Sequence, residues 1–119
     1  MATVKKFEDL EIWQEARRLS TAIIAISNET NLKSDFRLRS QIKASSGSVM
    51  DNIAEVFERN GNLEFRQFLS IAKGSAGESR SQLYRVFDNN YIEKLSGKIN
   101  NFITYLNNNE FKGTKFKQL

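Results

Sequence analysis

A chain of 119 residues with 39% apolar side chains is long enough to bury one hydrophobic core, and its composition is that of a small globule rather than a disordered chain. Cysteine and histidine are both absent, which excludes a disulfide framework, a thiol nucleophile, an imidazole base and the common zinc sites. The net charge of +4 is too small by itself to specify a polyanion partner, so its distribution matters more than its sum.

No apolar run approaches the roughly 20 residues of a membrane span, and the amphipathic N-terminus lacks the apolar core of a secretory signal, so a cytoplasmic protein with no membrane partner is expected. Proline is also absent, and long helices are therefore permitted. Apolar residues at Leu10, Trp13, Ala16, Leu19, Ile23 and Ile26 recur at spacings of three and four, which predicts a first helix with Asp9 as its N-cap. The polar stretch Asn28 to Lys33 carries no periodic apolar residue and reads as a turn. Ser34 or Asp35 then caps a second helix, whose inner stripe is Leu38, Ile42, Ser45, Val49, Ile53 and Val56 or Phe57 as far as Asn60-Gly61.

Asn62 can cap a third and longest helix, with Phe65, Phe68 or Leu69, Ala72, Ser75 or Ala76, Ser79, Leu83 and Val86 on one side until Asp88-Asn89-Asn90. A fourth carries Ile92, Leu95, Ile99, Phe102 or Ile103, and Leu106, close to a heptad seam. Short connections between amphipathic helices force antiparallel neighbours, so the expected fold is an all-α, up-down-up-down four-helix bundle over residues 1–109. Residues 110–119, with three lysines and two isolated phenylalanines, are expected to form a flexible or partner-docking tail. If the second and third helices fold back at Asn60-Gly61, the small residues Ala44-Ser45-Ser46-Gly47-Ser48 meet Gly74-Ser75-Ala76-Gly77. Glycine inside a helix costs about 0.5–1 kcal/mol relative to alanine, which points to close backbone approach at this waist. Ordinary tight packing is the plainer account of it, and a ligand groove the other.

The opening Phe7-x-Asp9-Leu10-x-Ile12-Trp13-Gln14-x-Ala16, then Gln41-Ile42-x-Ala44, Asn52-Ile53-Ala54-Glu55, and Phe68-Leu69-x-Ile71-Ala72-x-Gly74-Ser75 with Glu78 resemble the bacterial four-helix-bundle proteins encoded in intervening sequences of 23S rRNA genes. The resemblance covers nearly the whole chain. Val56 stands where the family pattern has glycine, and no proline precedes the second helix; neither departure disturbs a bundle. The resemblance implies a homo-oligomer, a pentamer in particular, and a relationship to the accessory protein of diversity-generating retroelements, which binds nucleic acid and a reverse transcriptase.

Catalytic candidates are few. Glu55-x-x-Glu58 places two carboxylates on one helix face, as in all-helical magnesium pyrophosphohydrolases, but the companion Glu-x-x-Asp motif is missing, and a di-iron bundle would need histidine. A non-enzymatic protein without cofactor or metal is expected. Asn52, Glu55 and Arg66 fall at similar heights in the hairpin and read as a polar network that fixes helix register or a subunit contact, with a polar ligand site as the alternative. Trp13 could stack a base, but its place on the inner stripe makes it a core or interface anchor first.

Charge carries the functional expectation. The end of the bundle holding the first and third turns gathers Arg17, Arg18, Lys33, Arg37, Arg39, Lys43, Arg80, Arg85, Lys94 and Lys98 against Glu29, Asp35, Glu78, Asp88 and Glu93. The opposite end is acidic. Arg37 and Arg39 sit near the start of a helix, where the macrodipole disfavours cations by about 0.3–1 kcal/mol each, so local helix stability does not account for them. The expected nucleic-acid-binding residues are Arg37, Arg39, Lys43, Arg80, Arg85, Lys94 and Lys98, on an oligomeric adaptor for RNA or DNA. The rival expectation is a protein-protein interaction scaffold that binds no nucleic acid.

Overall fold

The computed structural model describes residues 4–59 and 62–92, the side chains of 62–69 excepted. Within them the fold is all-helical: α1 (Glu11–Glu29), α2 (Phe36–Arg59) and α3 (Asn62–Asp88), with short 3-10 turns at Phe7–Asp9 and Asn31–Ser34. The fourth helix and the tail expected from the sequence lie outside the described residues, apart from Ile92.

Burial follows the periodicity. Leu10, Trp13, Ala16, Leu19 and Ile23 of the N-terminal segment, Leu38, Ile42, Val49, Ile53 and Val56 of α2, and Ala72, Ala76, Leu83 and Val86 of α3 form one core. Ile12 and Ala22 join it beside the expected α1 stripe. Removing a leucine or isoleucine side chain from water stabilises by about 1.5–3 kcal/mol, so this core is what holds the three helices together.

The ends of the helices differ from expectation in two places. Asp9 does not cap α1: it belongs to the preceding 3-10 turn, and the N-cap position is Leu10, which has no side-chain cap bond. The reason is packing. Leu10 is pulled fully into the core, Phe7 meets Trp13 edge-on at 5.1 Å, and the Gln14 amide reaches back to the Glu8 carbonyl at 2.9 Å.

The first connection is not purely polar either. Thr30 leaves the helix in an extended conformation, and its hydroxyl donates to the Ile26 carbonyl at 2.7 Å while accepting from the Leu32 N–H at 3.3 Å. The 3-10 turn that follows swings Leu32 inward until it is 0% exposed. Asp35 then caps α2 as expected, its Oδ1 accepting from the Leu38 N–H at 3.1 Å.

α2 and α3 are antiparallel, because residue numbers rise on one as they fall on the other in the bonded pairs Gln41 with Arg85, Ser45 with Ser79, and Ser48 with Ser75. Their small residues do meet, but not to bring backbones together. A Cβ built on Gly47, Gly74 or Gly77 would find nothing within 4 Å. What the seam needs is hydroxyls. Ser45 Oγ and Ser79 Oγ are 2.8 Å apart, Ser45 also donates to Gln82 Oε1 at 2.6 Å, and all three side chains are buried. The short Ser45 to Gln82 distance takes the single Ser45 proton, which leaves Ser79 as the donor to Ser45.

Candidate nucleic-acid interface

The cations expected to form the site divide into flanks. Residues two apart on an α-helix point about 160° away from each other, whereas residues four apart differ by only about 40°. Arg37 and Gln41 therefore share one side of α2, and Arg39 and Lys43 the other. Contacts fix which side is which. Arg85 Nη1 of α3 donates to Gln41 Oε1 at 3.3 Å, so Arg37 and Arg85 flank the α2/α3 seam. Arg39 Nη1 donates to the Lys33 carbonyl at 3.1 Å, which places Arg39 and Lys43 toward the first connection.

Arg80 stands on a third face. It is about 140° from Arg85 around α3 by the same geometry and is half-buried. Arg37, Lys43 and Arg85 are exposed, and Arg39 is half-buried. Among the described residues none of these five cations forms an ion pair, whereas Arg59, far along α2, pairs with Glu55 at 3.1 Å. Lys94 and Lys98 lie outside the described residues.

Asp35 is a carboxylate at this end whose oxygens are both occupied. The Tyr91 hydroxyl donates to Oδ2 at 2.7 Å and the Leu38 N–H to Oδ1. These bonds, aided by the positive charge of Arg85 and opposed by partial desolvation, hold the carboxyl below its ordinary value, and the same bond raises the Tyr91 hydroxyl. Asn90, the turn residue before Tyr91, has a φ of 60°, a left-handed conformation that asparagine tolerates better than most side chains. The chain leaving α3 is thus pinned to the start of α2.

Of the expected polar network, Asn52 donates its amide to the Ser48 carbonyl at 2.8 Å and to Ser48 Oγ at 2.9 Å, and Ser75 reaches the same Oγ at 2.9 Å. Glu55 is exposed and accepts two bonds from Arg59. The side chain of Arg66 lies outside the described residues. Asn52 is therefore tied to the α2/α3 seam through Ser48, and Glu55 to its own helix.

Sequence reasoning passed over Phe36. It opens α2 with 70% of its surface exposed, and the Arg39 guanidinium lies over its ring, 5.5 Å from the centroid. The signal was available: an aromatic residue off the apolar stripe, in a row with Lys33, Arg37 and Arg39.

No helix among the described residues is long and apolar enough to cross a membrane, and no three acidic side chains there are grouped so as to hold a metal ion. The family model described as 23S rRNA-intervening sequence protein matches residues 8–109. No curated protein and no solved structure matches the chain.

Proposed function

The chain belongs to the 23S rRNA-intervening sequence protein family, and we propose that it acts as a non-enzymatic, oligomeric four-helix-bundle adaptor that holds RNA or DNA by its phosphates. In this reading the segment from Ile92 to Leu106 supplies the fourth helix, and the basic end formed by the start of α2 and the finish of α3 is the contact surface. The supporting observation is that, among the described residues, Arg37, Arg39, Lys43, Arg80 and Arg85 form no salt bridge with a carboxylate. Their contacts within the fold are to neutral groups, such as the Lys33 carbonyl for Arg39 and the Gln41 amide for Arg85, so their charge remains available to displace counterions from a nucleic-acid backbone.

Because Arg37 and Arg85 flank one seam, they form the smallest unit that tests the proposal. Labelled single strands and duplexes are titrated at two salt concentrations with wild type, Arg37→Glu/Arg85→Glu, and the opposite-end control Lys5→Glu/Lys6→Glu. Wild type and control should bind alike, with affinity falling steeply as salt rises. Each phosphate that the variant no longer neutralises should flatten the logarithmic salt slope by about 0.7–0.9. Failure of wild type to bind at low salt, or equal binding by both variants, refutes the proposal.

Ile24 and Ile71, 44% and 43% exposed on the outer sides of α1 and α3, favour a protein contact as well. They fit the subunit interface of an oligomer, for which the family resemblance implies five copies. If nucleic acid is not bound, the same residues support the protein-scaffold reading.

A further inference from the structure

Phe36 lies about 160° around α2 from Leu38, the first residue of the inner stripe, so the fold leaves its ring outside the core. Leaving a phenylalanine in water forgoes about 1.5–3 kcal/mol of burial, and the packing around it gives no return. Its ring contact is with a cation. The guanidinium of Arg39 lies 5.5 Å from the ring centroid, and its Nη1 is held by the Lys33 carbonyl at 3.1 Å. The flat cation is thereby fixed beside the ring. The neighbouring Lys33 and Arg37 are both exposed.

An apolar protein partner fits this surface poorly, because covering the ring would strip water from three cations at once. A nucleotide fits it well. Its base has an apolar face for the ring, and its phosphate has a charge for the arginines and the lysine. A base in a duplex already has both faces stacked, whereas an unpaired base does not.

We propose that Phe36 is a stacking platform for one unpaired base of a single-stranded RNA or DNA, with Arg39 orienting the base and Lys33 and Arg37 holding the adjoining phosphates. The proposal deepens the nucleic-acid reading above and depends on it, and it adds a preference that phosphate contacts alone would not produce. Charge binds either form; the ring selects the single strand.

The test uses the full chain and measures single-stranded and duplex oligonucleotides in parallel, in ribose and deoxyribose versions, with a fluorescent adenine analogue in the single strand. Far-UV circular dichroism confirms that each variant is folded. Phe36→Leu should weaken single-strand affinity by about fivefold or more, abolish the quenching of the analogue and leave duplex affinity unchanged. Phe36→Tyr should restore both affinity and quenching. Tyr84→Leu, which removes an exposed aromatic from another helix, should bind like wild type.

Equal losses for single strand and duplex in Phe36→Leu would overturn the platform, as would undiminished quenching or the same loss in Tyr84→Leu. In those cases the salt-dependent binding removed by Arg37→Glu/Arg85→Glu would still stand. A wild type that binds neither form defeats both proposals. The ratio of ribose to deoxyribose affinity identifies which strand the platform takes.

Discussion

Ser45→Ala should be among the more costly single-atom deletions in the α2/α3 seam, and it should cost more than Ser79→Ala. In wild type, Ser79 donates to Ser45 Oγ and Ser45 donates to Gln82 Oε1, so Ser45 is the middle of a chain and Ser79 its end. Deleting the middle hydroxyl leaves the Ser79 proton without its acceptor and the Gln82 oxygen without its donor. The Ser79 hydroxyl can turn back onto the carbonyl four residues earlier, as Ser27 does to Ile23 at 2.7 Å. The buried Gln82 oxygen has no such substitute, and leaving it unsatisfied costs about 1–3 kcal/mol.

Ser79→Ala removes one bond but leaves Ser45 donating to Gln82, a loss of about 0.5–1.5 kcal/mol. Alanine is the better helix former by about 0.5 kcal/mol at either position, so that gain cancels in the comparison. Adding Gln82→Leu to Ser45→Ala removes the stranded acceptor and should recover part of the stability. Urea unfolding followed by circular dichroism reads these differences, at one fixed protein concentration because self-association would shift every midpoint. A Ser45→Ala midpoint indistinguishable from wild type, or a larger loss for Ser79→Ala, would refute the assigned direction of the chain.

Gly74→Ala should raise the melting temperature, by the equivalent of about 0.5–1 kcal/mol, because position 74 is exposed and helical and a Cβ there meets nothing within 4 Å; a lower melting temperature would show that the small residue is required after all. Tyr91→Phe should destabilise near neutral pH by an amount that shrinks in acid and alkali. Asp35 is lowered from an ordinary 3.8, so its contribution is complete above that value and is lost as pH falls through the lowered one. Tyr91 is raised from 10.0, so its contribution is complete below that value and is lost as pH rises through the raised one. A stability difference between wild type and Tyr91→Phe that ignores pH at both ends would show that the Asp35 bond is not what Tyr91 supplies.

The three described helices were legible because their apolar residues obey one period. From Leu38 to Val56 every expected inner position of α2 is buried, and Asp88 ends α3 where polar residues begin. Leu32 was not legible, since a lone leucine between polar residues has no period, and only the Thr30-capped turn brings it inward. The small-residue waist was located correctly and explained wrongly: sequence shows that serine and glycine are small, while only geometry shows that the hydroxyls, not the missing Cβ atoms, are used. The expected cations were legible in height along the helices but not in azimuth. Hairpin arithmetic put Arg37, Arg39 and Arg85 at one end, and a difference of two residues sent Arg37 and Arg39 to opposite sides of α2.

The serines joining α2 to α3 also act as a vernier. Ser45 and Ser48 are three positions apart on one helix, and their partners Ser79 and Ser75 are four apart on the other. Two scales with unequal divisions coincide at a single setting. Sliding α3 by one turn can bring Ser48 to Ser79, but it then sets Ser45 against Leu83; sliding it the other way pairs Ser45 with Ser75 and sets Ser48 against Ile71. An apolar seam of interchangeable leucines would tolerate either slip, whereas here each slip strands a hydroxyl. The same setting fixes how far Arg85 stands from Arg37, so the spacing of these two charges is graduated by hydroxyl groups in the seam.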